Sequence, residues 1–469
     1  MGMKKNHAQK KRTALELQTE IAQFTQQVSQ FFNKRLTEEL ARETGFVERE
    51  SKLTGHLFLS VFTFGMSLYG TPSLNELVGL LNIVVPQLDL TRQALHERIN
   101  EEAVAFFEKM LSLAVTLELP RRLSQAVEKL CPQFTRILIF DSTSFQLPAE
   151  LANYFRGSGG GGSAAAVKIL FGYDFKSYQF FYRLQDGVAH DQLHLGDDFQ
   201  QLQAGDLEIS DLGFFNIEAF ADLDQKGAFY LSRLRSDIRL YHQTRDRLEE
   251  FDLASFAQKL HVGQTEVELY LKKGNRLLKT HLIIEPVPDQ VKAQRLRKIN
   301  HLSRKKGYQP RKRVKILAGF NLYITNAPAA DLPREHLRSL YRIRWQIELV
   351  FKNWKSNFAL AKVTGKRPER IKCMIYAKLL FIVITTKICA AARNYVWATA
   401  HREISCFQAA KHLKSVALPW LVAIVQHPKS VATLLTNALA FIMKHCLKGK
   451  SNKRTYPLVV LAEIQAGLA

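Results

Sequence analysis

The pattern of hydrophobic and polar residues divides the chain into helical ends around a strand-rich middle. From residue 14 to about 130, apolar residues recur at helical spacing, as in "LELQTEIAQFTQQVSQFFNKRL". The segments "SLNELVGLLN" and "LTRQALHERIN" predict two short helices joined by a turn. They form either a helix-turn-helix in which Arg92, His96 and Arg98 face DNA, or an ordinary bundle with a solvated basic face.

The middle of the chain begins with strands. The run "RILIFDSTSFQLP" (136–148) is rich in β-branched and aromatic residues and predicts a buried strand with Asp141 near its end. "VKILFGYDF" and "QFFYRLQDG" predict two more strands of a meander. The intervening "GSGGGGSAAA" has the composition of a flexible linker, but a mobile loop between strands fits better because the strand pattern continues on both sides.

Helices and strands then alternate. A helix is expected near "DDFQQLQ", followed by the strand "LEISDLGFF" ending at Asp211, the helix "NIEAFADLDQKG" and the strand "AFYLSRL". Three antiparallel strands followed by alternating helix and strand are typical of a ribonuclease-H-like α/β domain. The predicted fold class is therefore α/β, with a ribonuclease-H-like core.

A β-rich insertion interrupts this order from about 236 to 325. Its residues 292–315 hold eleven Lys or Arg and no acid. This stretch is either a solvated loop or a DNA contact, and the density of one charge favours the contact. The predicted regions are a helical N-terminal DNA-binding region (1–130), the first part of the core (131–235), the insertion (236–325), the core helix with a third acid (326–360) and a helical C-terminal region for dimerisation or DNA contact (361–469).

The core helix combines an apolar face with an unexpected polar edge. In "LYRIRWQIELVFKNWKSNF" (340–358), successive residues of a helix are about 100° apart. The buried face would hold Ile343, Ile347, Val350, Phe351, Trp354 and Phe358. Arg344, Glu348 and Lys355 would line up beside Tyr341 along one edge. An i,i+4 pair of Arg344 with Glu348 stabilises a helix by only a few tenths of a kcal/mol, so pairing alone is a weak reason for this edge.

Three acids in this arrangement suggest metal chemistry. Asp141 and Asp211 lie at or near strand ends of one domain, and Glu348 lies on the helix after the insertion. Three carboxylates can hold two Mg²⁺ about 4 Å apart, which activates water and stabilises the entering and leaving oxygens at phosphorus. Tyr341, Arg344 and Lys355 are suited to binding phosphate.

Composition adds a polyanionic partner. The formal net charge is +23 and the pI is about 9.7, which favours nucleic acid over an acidic membrane surface. Five separate cysteines without a CxxC pair are typical of reduced thiols. The apolar run "LLFIVITT" is too short to span a bilayer. His190 and His194 have the spacing of a zinc pair but lack a third ligand, and Trp345 or Trp354 could stack on a flipped base.

The string "YRIRWQIELVFKNWKS" matches the Y-x2-R-x3-E-x6-K signature, and the chain resembles DDE transposases of the insertion sequence four family. "FDSTSFQLP" resembles that family's first-acid motif, "SDLGFF" its second-acid motif, and "YITNAP" the strand entering the third. The resemblance is strong from about 136 to 360. Leu212 departs from it, because many members carry a basic residue there.

This resemblance implies cut-and-paste transposition. Asp141, Asp211 and Glu348 would be the catalytic acids and would bind two Mg²⁺, with Mn²⁺ able to substitute. Tyr341, Arg344 and Lys355 would bind DNA near the transposon end. The partners would be double-stranded DNA, as terminal inverted repeats and target, and a second copy in a homodimer on DNA. A bacterial, cytoplasmic, nucleoid-associated location without a membrane partner follows.

Two other functions fit the same residues. A metal-dependent nuclease would use the same acids without joining strands, and a transposase-derived regulator would keep the basic surface without needing the acids. The presence of all three acids argues against the regulator. A structural or ribosomal role fits only the charge and leaves the polar edge of 340–358 unexplained.

Overall fold

The computed structural model describes residues 2–159, 162–189, 202–245, 247–260, 263–449 and 456–468, and gives side chains from Thr13 to Gly467 within them. The chain divides into two compact units. Unit 1 comprises Met1–Leu130, Ser142–Ala189 and Gln346–Leu458, and unit 2 comprises Cys131–Asp141, His190–Trp345 and Val459–Ala469. Each unit is assembled from segments distant in sequence, so the units cut across the five consecutive regions predicted above.

Unit 1 is mainly helical, as the spacing of apolar residues predicts. Polar caps begin several of its helices: Thr54 accepts a hydrogen bond from the Leu57 N–H, and Ser73 and Glu76 form a reciprocal capping box. The helices are α1 (Gly2–Phe31), α2 (Lys34–Glu43), α3 (Gly55–Tyr69), α4 (Leu74–Val84), α5 (Arg92–Glu97), α6 (Glu101–Val115), α7 (Arg121–Glu128), α13 (Trp345–Ser356), α14 (Pro368–Ala400), α15 (Cys406–Ser415), α16 (Ala417–Gln426) and α17 (Val431–His445).

Helix α14 is the central helix of unit 1. It packs against α1, α3, α6, α7, α15 and α17. By length and composition the whole helix could cross a membrane, although the run "LLFIVITT" alone is too short, and 94% of its most apolar 18 residues are buried inside the protein. Lys378 and Lys387, expected to bracket the run, are themselves buried. The Lys378 ammonium donates to the backbone carbonyls of Ala359 and Lys362, which replaces its lost hydration.

The predicted pair of short helices is present as α4 and α5, but only part of its proposed DNA face remains. The Arg98 guanidinium donates to the Phe46 carbonyl at 2.6 Å and lies 4.3 Å from the centre of the Phe46 ring. The expectation that Arg98 faces DNA was therefore wrong, because its charge is used to pack unit 1. Arg92 is exposed and His96 half-buried, and their DNA contact stays a prediction.

The sheet of unit 1 contains the predicted antiparallel pair. Strand β2 (Ala165–Asp174) pairs with β3 (Phe180–Asp186) from Val167 opposite Asp186 to Tyr173 opposite Phe180. The glycine-rich segment precedes β2 within this unit, and Gly157 N–H donates to the Ala164 carbonyl at 2.7 Å across it. It therefore connects elements of one unit, as expected of a loop.

Unit 2 contains a mixed sheet. Strand β1 (Ile137–Leu147) contributes residues 137–141 to this unit, and the strand order from it is β1-β4-β5-β10-β9-β8-β6-β7. The β1-β4 and β4-β5 pairs are parallel, and the five pairs from β5-β10 to β6-β7 are antiparallel. The strands are β4 (Leu207–Ser210), β5 (Phe229–Arg233), β6 (Tyr241–Thr244), β7 (Arg247–Glu250), β8 (Thr265–Lys273), β9 (Arg276–Pro286) and β10 (Phe320–Thr325).

The helices of unit 2 include three in the predicted insertion. They are α8 (Ile217–Gln225), α9 (Leu253–Gln258), α10 (Asp289–Lys306), α11 (Lys312–Leu317), α12 (Arg334–Arg342) and α18 (Pro457–Leu468), whose first two residues belong to unit 1. Those in the insertion are α9, α10 and α11. The basic stretch 292–315 is largely helical, so the loop alternative was wrong. The helix expected near "DDFQQLQ", together with His190 and His194, lies outside the described residues.

A buried ion pair fixes the start of two parallel strands in unit 2. Arg136 precedes β1 and Asp206 precedes β4, and the Arg136 Nε donates to Asp206 Oδ1 at 2.9 Å while Nη2 donates to Oδ2. The Asp206 side chain is fully buried and also accepts from the Gln203 N–H at 2.7 Å. Leu207 N–H donates to the Arg136 carbonyl at 2.9 Å, so side-chain and backbone contacts hold the same register.

We expect Asp206→Asn to lower the free energy of unfolding by about 3 kcal/mol, because it replaces the buried carboxylate that accepts two hydrogen bonds from the Arg136 guanidinium with a neutral amide. Urea unfolding at pH 7 would measure the change. Lys279→Gln, which breaks the exposed pair with Glu268, is the control and should cost less than about 1 kcal/mol. Equal, small losses in both variants would contradict a structural role for the Arg136–Asp206 pair.

Candidate active site

Parallel pairing brings the two predicted aspartates to one edge of the sheet in unit 2. Ile137 pairs with Leu207 and Ile139 with Ile209. Continuing this register by two residues places Asp141 level with Asp211. Because side chains alternate between the two faces of a sheet, the side chains of both aspartates then lie on the same face as those of Ile139 and Ile209.

Asp141 differs in one respect from the prediction. It is the fifth of eleven residues in β1 rather than close to the end of the strand. The strand continues because the apolar pattern persists, with Phe145 and Leu147 buried. In β1, residues 137–139 pair with β4, so Asp141 lies two residues beyond that paired segment.

The turn after β4 orients the second aspartate. The Asp211 Oδ1 accepts a hydrogen bond from the Gly213 N–H at 2.7 Å, which caps the short 3₁₀ turn Leu212–Phe214. Phe214 and Phe215 anchor this turn in the core, where Phe215 meets Phe220 edge-to-face. In this Asp-x-Gly-aromatic motif, a backbone hydrogen bond and buried aromatic rings thus fix the position of the carboxylate. Leu212 is 37% exposed and provides no cation here.

Arg344 and Tyr341 lie beside these acids. The Arg344 Nη1 is 3.5 Å from the Asp141 Oδ2, with both side chains largely buried. Burial raises the pKa of Tyr341, and the charge of Asp211 acts in the same direction while Arg344 and Arg233 oppose it. Tyr341 therefore keeps its hydroxyl proton at neutral pH and can donate a hydrogen bond. Its ring packs against Tyr323 at 5.2 Å between centres.

The segment 340–358 is two helices rather than one. Helix α12 ends at Arg342 and α13 begins at Trp345, and between them Ile343 and Arg344 donate to the carbonyls three residues back, of Leu340 and Tyr341. These tighter bonds interrupt the α-helical ladder. The four polar residues therefore do not lie on one helix: Tyr341 is the last residue but one of α12, Arg344 lies in the turn, and Glu348 and Lys355 lie on α13.

The apolar face of this segment is mostly as predicted. Ile343, Ile347, Phe351, Trp354 and Phe358 are buried, and Val350 is half-buried. Trp354 packs against Phe171 and Phe351 in unit 1, which makes it a core residue. Trp345 is 57% exposed, so its role in stacking stays a prediction.

The third predicted acid lies in the other unit. Glu348 is in the first turn of α13 and Lys355 in its last, and both are exposed. Seven residues apart, they share one side of the helix. Within the described residues, no group of three or more His, Cys, Asp or Glu stands ready to hold a metal ion. The three-acid metal site is therefore a prediction, and Asp141 and Asp211 supply the carboxylate oxygens that Mg²⁺ prefers.

Two ionisable side chains near the site were not predicted from the sequence. Arg233, the last residue of β5, lies close enough to Tyr341 to influence its pKa. Glu208, three residues before Asp211, is fully buried, and its carboxyl oxygens have no hydrogen-bond partner among the described residues. Burial raises the pKa of Glu208 to about 8, the neighbouring Ser210 hydroxyl opposes the rise, and the charge of Asp211 adds to it. The position of Glu208 inside the otherwise apolar strand "LEIS" could have indicated that this acid is buried.

Comparison with known proteins identifies relatives along nearly the whole chain. The sequence profile of the family described as "Transposase DDE domain" matches residues 132–384. The transposase for insertion sequence element IS231C of Bacillus thuringiensis subsp. berliner is 30% identical over 449 residues, covering 92% of this chain and 93% of the relative. The transposase for IS231E of Bacillus thuringiensis subsp. finitimus is 29% identical over 447 residues, with the same coverage of each chain.

More distant relatives are also similar. The transposase for insertion sequence element IS1151 of Clostridium perfringens is 25% identical over 459 residues, covering 94% of this chain and 96% of the relative. A solved structure, of a piggyBac transposase synaptic complex with hairpin DNA, is 12% identical in sequence. The alignment covers 94% of this chain and 85% of the piggyBac chain, with a TM-score of 0.35. That score is too low to indicate a shared fold.

Glu208 should make stability depend on pH. Its pKa is about 8 in the folded state against an ordinary 4.5, so folding favours the protonated form and stability falls as pH rises from about 4.5 to 8. We expect Glu208→Gln to raise the free energy of unfolding at pH 8 by up to about 4 kcal/mol and to change it by less than about 1 kcal/mol at pH 5.

Urea unfolding at both pH values would test this expectation, with the exposed Glu250→Gln as the control. A variant Glu208→Gln that loses stability with pH as steeply as the natural protein would show that Glu208 is not the titrating group.

Proposed function

Because this chain belongs to the DDE transposases of insertion sequences, we propose that it moves its element by cut-and-paste transposition, with Asp141, Asp211 and Glu348 as catalytic acids. The observation that supports this proposal is the parallel β1–β4 register, which would bring Asp141 level with Asp211 if it continued by two residues beyond Ile139 and Ile209. Arg344 and Tyr341 add a cation and a hydroxyl donor beside the two carboxylates. This is the set of groups that binding and cleaving a phosphodiester requires.

A ribonuclease-H-like core is the fold that accounts best for this arrangement. Strand β1 is parallel to β4, β4 is parallel to β5, and helix α8 connects β4 to β5. The antiparallel pair β2–β3 follows β1 along the chain. This is the succession of strands expected for such a core, with an acid in β1 and another directly after β4.

The three acids would hold two Mg²⁺, which when bound supply a nucleophile at neutral pH and charge stabilisation at phosphorus. Arg344, whose guanidinium is planar and always charged, would exchange part of its contact with Asp141 for a DNA phosphate. Tyr341, kept protonated by burial, would donate to a phosphate oxygen. Lys355, exposed on the same side of α13 as Glu348, would bind a neighbouring phosphate as a point charge.

The partners follow from this chemistry. Double-stranded DNA would enter as the terminal inverted repeats of the element and as the target, and joining two ends requires a homodimer on DNA. We place the protein in the bacterial cytoplasm, at the nucleoid. The net charge of +23 supports a polyanionic partner of this kind.

A donor-plasmid assay tests the proposal. Purified protein, Mg²⁺ and a plasmid carrying the element with its native flanks should yield excision and integration, and Glu348→Gln should reduce both below detection while retaining end binding. Glu335→Gln, an exposed acid on α12, is the isosteric control and should keep full activity.

Each other result identifies a competing function. Cutting without joining would indicate a metal-dependent nuclease, and binding without either reaction would indicate a transposase-derived regulator. Loss of end binding in Glu348→Gln, at unchanged fold and salt, would contradict its assignment as a metal ligand.

Lys355→Ala should weaken binding to the element's end and lower the slope of log affinity against log salt by about one, because one phosphate contact is lost. Fluorescence anisotropy at several salt concentrations would measure the slope. Lys444→Ala, which removes an exposed lysine from α17, is the control. An unchanged slope in Lys355→Ala would exclude a phosphate contact by this residue.

A further inference from the structure

Helix α10 rests on unit 2 by one narrow side. Val291, Arg295, Leu296 and Ile299 are half-buried, and Ser303 is the residue of α10 that is buried. At about 100° per residue these five positions fall within an arc of about 140°. The rest of the 18-residue helix is available to a partner.

The opposite side of α10 carries a cationic stripe, defined as Arg297, Lys298, His301, Arg304 and Lys305. All five side chains are exposed. Their positions fall within an arc of about 120° centred opposite the buried side. The stripe therefore faces away from the unit that carries it.

Two other arginines of the basic stretch fix its position. The Arg295 Nη1 donates to the Phe320 carbonyl at 2.8 Å, and its Nη2 donates to Asn321 Oδ1 at 2.6 Å. The Arg313 Nη2 donates to the Ile238 carbonyl at 2.7 Å, which holds the segment containing α11. The stripe is thus presented on an anchored helix.

The stripe lacks the neutralising partners that other surface cations of unit 2 have. Among the described residues, none of its five members forms an ion pair. By contrast, three exposed cations of β8 and β9 each have an acidic partner. The pairs are Lys273 with Glu218, Arg276 with Asp222 and Lys279 with Glu268.

Helix stability explains only part of this charge. Arg304, Lys305 and Lys306 lie in the last turn, where cations favourably oppose the helix dipole. Arg297 and Lys298 lie in the middle of α10, where that effect has decayed. Their presence on the exposed side, without acids, is better explained by an anionic partner.

We propose that the cationic stripe binds the phosphate backbone of duplex DNA without reading its sequence. Its two Lys/Arg pairs, Arg297 with Lys298 and Arg304 with Lys305, are seven residues apart, which is about 10.5 Å along a helix. This distance is close to the roughly 12 Å width of the major groove, so each pair can reach the phosphates of a different strand. The proposal rests on the DNA-transposase function and adds a second, non-catalytic DNA surface.

The test compares two triple variants of equal charge and composition. K298Q/R304Q/K305Q neutralises the stripe, and K273Q/R276Q/K279Q removes two lysines and one arginine that are already paired. Anisotropy would measure binding to the element's end and to a scrambled duplex at several salt concentrations. We expect the stripe variant to lower the log-log salt slope by about 2 to 3 on both duplexes. The control should change it by less than about 1.

Three results would overturn the proposal: equal slope changes in both triples, an effect confined to the end duplex, or tighter competition by duplex RNA than by duplex DNA. Thermal melting of both triples checks that each is folded. The outcome is separable from that of the proposed function. A stripe-dependent slope in a protein that never cuts ends would keep this inference and exclude the transposase reaction, and normal excision with an unchanged slope would do the reverse.

Discussion

The contact between Arg136 and Asp206 is the constraint on which the candidate site depends. It joins the residues that precede β1 and β4, and the backbone bond from Leu207 to Arg136 holds the same alignment. Asp141 and Asp211 are level only in this register. A shift of one residue would turn one aspartate to the opposite face of the sheet, so a buried ion pair specifies geometry here.

Short-range contacts then fix the side chains of the candidate site. The Gly213 N–H orients the carboxylate of Asp211, and two buried phenylalanines hold the turn in place. The α-helical hydrogen bonding is interrupted between α12 and α13 at Arg344, whose guanidinium lies 3.5 Å from the carboxylate of Asp141. The same burial that raises the pKa of Tyr341 keeps it a hydrogen-bond donor. Each of these side chains is thus held in place by contacts within unit 2.

Charge is distributed unevenly over the protein, and its pairing distinguishes structural from available cations. Arg98, Arg295, Arg313 and Arg393 donate to backbone carbonyls and serve packing. Cations of β8 and β9 are neutralised by acids. The exposed side of α10 differs from both groups. The net charge of +23 therefore overstates the number of cations available to DNA, because some of the arginines make their hydrogen bonds within the protein.

The sequence by itself determined the strands that carry Asp141 and Asp211, the apolar face of 343–358, and the family, because periodicity and motifs are properties of neighbouring residues. It did not predict the break at Ile343 and Arg344, the helical state of the basic stretch, the inward turn of Arg98, or the buried Glu208. Only the tertiary structure decided these features and the β1–β4 register. That register joins residues 70 positions apart, whose pairing depends on packing and on the Arg136–Asp206 contact rather than on any local pattern.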